Sequence, residues 1–203
     1  MAIRRSLVTI AGIVQELPAA DQLYGVKDNA FYIPPTGEDI YTTNGSGGAT
    51  GTLAGAANRI DLFPWVARGS FTSASLVLNC TTLIAAALAK FVVYSADAND
   101  RPLSLLLETG TVDLSTVGLK PVAGVLSWVQ GQTYWIGVRH SSTATISTWL
   151  GTATPDINTG VMTTAAKKTF RRTLAFATPA PASWVPVSNE VNAGLAPAIG
   201  IRM

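Results

Sequence analysis

The sequence contains few of the side chains that catalysis and metal binding use most often. Its 203 residues include one cysteine and one histidine. A single cysteine excludes an internal disulfide, and one cysteine with one histidine cannot supply the ligands of an ordinary zinc site. A Ser-His-Asp or Cys-His arrangement could be assembled only around His140. We therefore predict that the protein is not an enzyme and holds no metal or cofactor.

Charged side chains are also scarce. Asp, Glu, Lys and Arg make up 13% of the chain, about half of the roughly 25% that is usual in soluble globular proteins. The net charge of +2 is too small to indicate a nucleic-acid partner. No apolar run approaches the roughly 18 residues that a membrane span requires. With so few charges, part of the surface is expected to be covered by other subunits, so the composition favours a component of an assembly.

Two short β-branched runs stand near the start of the chain. Residues 6–10 and 13–17 are separated by two residues, the spacing of a tight β-hairpin. Arg4-Arg5 before them imitates a secretory signal, but the apolar stretch is short and interrupted, so we expect it to be part of the mature protein. Residues 42–57 are nearly all Gly, Ser, Thr, Ala or Asn, which is typical of a flexible linker. We predict an N-terminal arm at 1–43, a linker at 44–57 and a folded domain at 58–203.

The folded domain is predicted to be all-β. Strands are expected at 58–66, 75–82, 90–95, 103–108, 124–128, 133–140, 145–149, 169–175 and 198–203, with Gly- and Pro-containing turns between them. Many short strands with frequent turns favour an antiparallel β-sandwich. Residues 83–89 have helical propensity and are left open between a single helical turn and a loop. Cys80 lies in an alternating run and is expected to be a buried, inert thiol.

Two passages resemble parts of bacteriophage virion proteins. Leu7-Val-Thr-Ile-Ala-Gly-Ile-Val-Gln-Glu-Leu-Pro-Ala-Ala-Asp-Gln-Leu23 resembles a segment common near the start of phage tail and fibre proteins. The resemblance implies that this arm attaches the protein to the particle. The residues implied in attachment are Leu7, Ile10, Ile13, Val14 and Leu17.

Residues 58–203 are similar to a jelly-roll-like domain of phage fibre and tail proteins. The similarity is carried by Asn58-Arg-Ile-Asp-Leu-Phe-Pro64, Val92-Val-Tyr-Ser95, Thr109-Gly-Thr-Val-Asp-Leu-Ser115, Gly131-Gln-Thr-Tyr-Trp135 and Ala196-Pro-Ala-Ile-Gly-Ile-Arg202. It implies a jelly-roll-like sandwich and a place in a virion, which would be assembled in the host cytoplasm. It identifies no ligand.

Aromatic residues beside polar loops are the candidates for contact with a glycan. Trp149 precedes a Thr-, Asp- and Asn-containing loop, Trp184 lies in a Pro-rich stretch, and His140 ends a strand where we expect it to face solvent. Packing beneath a loop is the favoured alternative for both tryptophans.

Two charged clusters carry further alternatives. Asp97, Asn99 and Asp100 could bind calcium, but these residue types also build tight turns, which we favour. Lys167-Lys-Thr-Phe-Arg-Arg172 could bind an anionic glycan or an acidic partner, or be a solvated edge strand protected by its charges, which we favour.

These observations predict a non-enzymatic virion structural protein. Its expected partners are other virion proteins, further copies of itself in a homotrimer, and a host surface polysaccharide. The first hypothesis is a tail-fibre or spike component that contacts host glycans. The alternative is a capsid or tail decoration protein, or head fibre, that binds only other virion proteins. A third class, a small hydrolase of cell-wall polymer, would depend on His140.

Overall fold

The computed structural model describes residues 7–10, 13–16, 39–42, 50–149, 169–192 and 195–203. The chain divides into two compact units, Met1–Phe31 and Tyr32–Met203. In the first unit, β1 (Leu7–Ile10) and β2 (Ile13–Glu16) form an antiparallel pair in which Ile10 lies opposite Ile13. This agrees with the predicted hairpin.

The second unit consists of two sheets. Its strands in chain order are β3 (Asp39–Tyr41), β4 (Thr50–Ala54), β5 (Arg59–Val66), β6 (Phe71–Thr82), β7 (Leu88–Ala96), β8 (Pro102–Glu108), β9 (Val112–Asp113), β10 (Gly118–Trp128), β11 (Thr133–His140), β12 (Thr145–Trp149), β13 (Thr169–Thr173), β14 (Val191–Asn192) and β15 (Ile199–Arg202). Sheet I has the order β14-β13-β5-β11-β7-β8, with β9 also paired to β7. Sheet II has the order β3-β15-β6-β12-β4, with β10 also paired to β6. Every pairing among these strands is antiparallel.

The two sheets enclose a core of large apolar side chains. Trp65 of sheet I and Trp128 of sheet II pack edge to face, with ring centroids 5.4 Å apart and planes at 82°. Phe63, Phe91 and Ile136 are fully buried beside them, and each buried side chain of this size contributes about 1.5–3 kcal/mol. The predicted all-β antiparallel sandwich is confirmed. The described residues contain no α-helix, and none of their helical turns is long and apolar enough to cross a membrane.

Sheet I is covered on its other face as well. Residues 174–187, here called the cover segment, run over that face, and their Ala180 and Trp184 are buried in a second cluster with Leu62, Tyr94 and Trp135. Because both faces are buried, β5 and β11 each contain a continuous apolar run, Leu62–Val66 and Tyr134–Val138, instead of a simple alternation.

A buried arginine holds the cover segment in place. Arg139 of β11 donates to the carboxylate of Glu108 and to the carbonyl oxygens of Ala175 and Phe176, at 3.0 and 3.3 Å. The second carboxylate oxygen of Glu108 accepts the amide N–H of Ala180 at 2.8 Å. One ion pair therefore fixes several backbone groups of the cover segment, which would otherwise be left without partners in a buried place.

The predicted boundaries of the arm and linker need correction. β3, expected within the arm, pairs with β15, so Ile40 lies opposite Ile201 and is buried in the sandwich. β4, expected within the linker, pairs with β12 along its whole length. A Gly- and Thr-rich segment can form a strand when a neighbouring strand supplies the hydrogen bonds, and composition alone does not reveal that neighbour.

Residues 83–89 form a turn followed by the start of β7. The amide of Ala87 donates to the carbonyl of Ile84 at 3.1 Å, and Ala86 has a positive φ of 58°. The strand begins at Leu88. Of the two alternatives left open, the structure shows the non-helical one.

Candidate functional site

The outer face of sheet II carries a groove formed by the strand register. β15 lies between β3 and β6, so Tyr41, Gly200 and Val77 form one row across the sheet. Asp39 and Arg202 are neighbours in the adjacent row. Because Gly200 has no side chain, space remains beside Tyr41 in the middle of the face.

The groove has a volume of about 580 Å³, within the roughly 300–1,000 Å³ typical of small-molecule sites. It is lined by residues of five strands, β3, β6, β10, β12 and β15. The side chains that matter for the chemistry below are Asp39, Tyr41, Val77, Asn79, Ser147 and Trp149. We call this the Tyr41 groove.

An aromatic pair forms one wall of the Tyr41 groove. The rings of Tyr41 and Trp149 pack edge to face, with centroids 5.8 Å apart and planes at 81°. Tyr41 is 54% exposed and Trp149 only 5%. The indole N–H of Trp149 donates to the hydroxyl of Thr42 at 3.5 Å, and that hydroxyl donates to the carbonyl of Ile199 at 3.0 Å. Trp149 is thus fixed from behind, and Tyr41 presents the accessible ring.

An ion pair and a side-chain hydrogen bond supply the polar part of the groove. Arg202 donates to both carboxylate oxygens of Asp39, at 2.8 and 3.2 Å. This fork-like geometry fixes the carboxylate. Asn79 donates to the hydroxyl of Ser147 at 3.0 Å. An amide can take part in several hydrogen bonds, and this bond uses only one of its donors.

Gly200 allows this arrangement. A Cβ at Gly200 would stand 3.1 and 3.2 Å from Cβ and Cγ of Asp39. A larger residue would therefore require the Asp39 side chain to shift by a few tenths of an ångström.

The three residues predicted to contact a glycan lie in different places. Trp149 lines the Tyr41 groove, but its ring is almost entirely buried, so it supports the site and offers little contact surface. Tyr41, which falls within the predicted arm at 1–43, is the exposed aromatic residue. The alternation of Asp39, Ile40 and Tyr41 was the signal for a half-buried strand there.

Trp184 does not belong to this site. It lies in the cover segment, is 1% exposed and packs edge to face on Tyr94 at 5.6 Å. The guanidinium of Arg172 stacks over its ring at 3.9 Å. The prediction of glycan contact is wrong for Trp184, because its ring completes the second core; the alternative of packing beneath a loop is confirmed.

His140 is buried, and the expectation that it faces solvent is wrong. It is 1% exposed and lies against Gly55, where an added Cβ would stand 2.6 Å from Nδ1. Among the described residues neither ring nitrogen has a hydrogen-bond partner. Burial lowers the pKa of His140 to about 4, although the nearby Asp61 carboxylate acts to raise it. A neutral ring in this position cannot reach a surface glycan.

The charged clusters serve the fold. The carboxylate of Asp97 accepts the amides of Asn99 and Arg101 at 2.8 and 2.9 Å, which confirms the turn favoured from the sequence. Within the described ranges no group of three or more His, Cys, Asp and Glu side chains could hold a metal ion.

The described part of the basic cluster is engaged in ion pairs. Arg171 binds the buried carboxylate of Asp61 at 2.6 Å, and Arg172 pairs with Glu190. β14 pairs only with Thr169 and Phe170, so β13 is the outer strand of sheet I at Arg171 and Arg172, as predicted, but the two side chains are held in ion pairs and are not freely solvated. Arg171 joins β13 to β5, and Arg172 joins β13 to the 3-10 turn Ser188–Glu190, so both side chains are already occupied.

The residues implied in particle attachment lie in the first unit. Leu7, Ile10, Ile13 and Val14 are in β1 and β2, whose backbone pairing alone is described. Leu17 lies outside the described residues. Their role remains a prediction.

No protein-family model, curated protein or solved structure matches this chain.

Proposed function

We propose that this protein is a non-enzymatic structural component of a bacteriophage particle, of the tail-fibre or spike kind. It would be displayed on the particle and would contact glycans of the host surface. The resemblance of residues 7–23 and 58–203 to segments of phage virion proteins supports the virion context. Its partners would be other virion proteins and the host polysaccharide.

The division of the chain into two units is the observation that carries the proposal. A small unit, Met1–Phe31, contains a hairpin, and a much larger unit, Tyr32–Met203, contains a sandwich. A display protein needs a short attachment segment and a rigid domain that presents a surface. The hairpin residues Leu7, Ile10, Ile13 and Val14, with Leu17 after them, would attach the chain to the particle.

The mechanism would be passive. A sandwich closed by apolar cores on both faces of sheet I is a rigid support for the outer face of sheet II. Assembly as a homotrimer, and many copies on one particle, would convert weak individual contacts into useful avidity. Light scattering of the isolated protein should therefore report a trimer at micromolar concentration.

The alternative, a capsid or tail decoration protein, is favoured by one observation. Val125 and Leu119 of β10 are 71% and 62% exposed, and burial of both side chains against another virion protein would stabilise such a contact. In that case all partners would be virion proteins.

The proposal is tested on intact particles. Antibody against residues 58–203, viewed by electron microscopy on particles purified from cells that produce the chain, should label the particle surface. The tail-fibre hypothesis expects label on the tail and binding of the purified protein to host envelopes. Label on the capsid without envelope binding would support the decoration protein, and particles that lack the chain altogether would refute the virion assignment.

A further inference from the structure

We propose that the Tyr41 groove binds an uncharged pyranose sugar, an inference that rests on the proposed function because it names the ligand class and the surface involved. The argument uses the exposed ring, the fixed polar groups and the charge balance of the groove.

The exposed ring offers an apolar platform of the right kind. Tyr41 is 54% exposed while Trp149, packed against it, is 5% exposed, so Tyr41 is the accessible ring of the pair. The C–H face of a pyranose is apolar and flat enough to pack on such a ring. Thr42 fixes Trp149, and the ring contact with Trp149 restrains Tyr41, which reduces the conformational entropy lost on binding.

Polar groups stand within the same groove. Asn79 and Ser147 line it as an amide and a hydroxyl, each able to donate and accept. The carboxylate of Asp39 adds an acceptor whose orientation Arg202 fixes. Sugar hydroxyls need donors and acceptors together, and a mostly apolar site with a few fixed polar groups is the usual form of a small-ligand site.

The charge balance selects against charged sugars. Asp39 is paired with Arg202 through two hydrogen bonds. No other charged side chain among the described residues lines the groove. A uronate or a sugar phosphate would have to lose water without gaining a free counter-charge, and that desolvation is costly. A neutral pyranoside has no such penalty.

The test uses the full chain and two matched ligand panels. Saturation-transfer NMR would detect binding, and titration would give the affinity of each ligand. The neutral panel contains oligomers of glucose, galactose, mannose and N-acetylglucosamine as methyl glycosides. The second panel contains the corresponding uronates. We expect at least one neutral ligand to bind about tenfold more tightly than its uronate counterpart. Equal or tighter binding of the uronates, or no binding by any neutral member, would overturn the inference.

Variants connect the binding to the groove. Tyr41→Ala should weaken binding about tenfold through loss of the ring. Tyr41→Phe keeps the ring, so it should retain most of the affinity and serves as the control for substitution at this position. Asn79→Ala should weaken binding through loss of a polar contact. Val185→Ala, which alters a 70% exposed residue of the cover segment, is the control and should bind normally. If Tyr41→Ala bound like Val185→Ala, the site would lie elsewhere.

These outcomes are distinct from failure of the proposed function. A chain found on the particle that binds no neutral sugar would refute this inference alone. A chain that binds a neutral sugar through Tyr41 but is absent from particles would refute the virion assignment alone.

Discussion

Replacing His140 with glutamine should remove a large part of the acid sensitivity of this protein. In the folded chain burial lowers the pKa of His140 from 6.5 to about 4. Between these values the unfolded chain binds a proton that the folded chain does not, so the free energy of unfolding falls as the pH is lowered. At about 1.36 kcal/mol per pH unit, the loss between pH 7.5 and pH 4 is about 3 kcal/mol.

The structure gives the reason for this magnitude. The ring is 1% exposed and lies against Gly55, and neither nitrogen has a hydrogen-bond partner among the described residues. Arg59 and Arg171 oppose the protonated form, and Asp61, which favours it, is already bound to both of them. Protonation in the folded state therefore has a desolvation cost that no free carboxylate offsets.

Urea unfolding of the native chain and of His140→Gln, measured at several pH values from 7.5 to 4, checks this directly. The stability difference between the two proteins should change by about 3 kcal/mol across that range, in favour of the variant at low pH. Since the chain has one histidine, its imidazole NMR signals report the folded-state pKa independently. Parallel pH profiles for the two proteins, or an imidazole that titrates near 6.5 in the folded state, would refute the reasoning.

Three further changes test separate features. Gly55→Ala should destabilise the fold by about 1–3 kcal/mol, since its Cβ would stand 2.6 Å from both the His140 ring and a backbone carbonyl. Gly110→Ala, whose Cβ would have no atom within 4 Å, is the control and should be nearly neutral in the same urea assay. Arg139→Met should cost about 3 kcal/mol, because Glu108 would keep only the more distant Lys90, at 3.6 Å, and the cover segment would lose its hydrogen bonds to the guanidinium. The exposed Arg101→Met should change stability little, and equal costs for the two variants would contradict the role of Arg139 in holding the cover segment. Burial raises the pKa of the Cys80 thiol, which keeps it protonated and unreactive in the folded chain. A thiol reagent at pH 8 should therefore label Cys80 only after unfolding. Rapid labelling of the native protein would contradict the buried position.

The positions of most strands follow from local sequence. Alternating β-branched and apolar residues between turn signals predicted the strands at 133–140 and 145–149 with their observed ends, and the hairpin spacing predicted the pairing of Ile10 with Ile13. These features depend on side-chain periodicity and turn chemistry, which a single segment carries by itself.

The candidate site depends on contacts between distant segments. Tyr41 reaches the surface of the sandwich only because β15, more than 150 residues later, pairs with β3. Trp149 was a correct choice of residue type, but its role as the support behind Tyr41 depends on that same pairing. Nothing local to residues 39–41 specifies which strand will lie beside them.

The sequence by itself determined that this chain would form strands that pack as two layers, and where most of the strands lie. These features depend on side-chain periodicity and turn residues, which act over only a few positions. Only the tertiary structure decided that β3 and β4 join sheet II, that His140 and Trp184 are buried and that Tyr41 is exposed. Burial depends on which distant segment covers a residue, and the pairing of two strands far apart in the chain is not specified by the local sequence of either one.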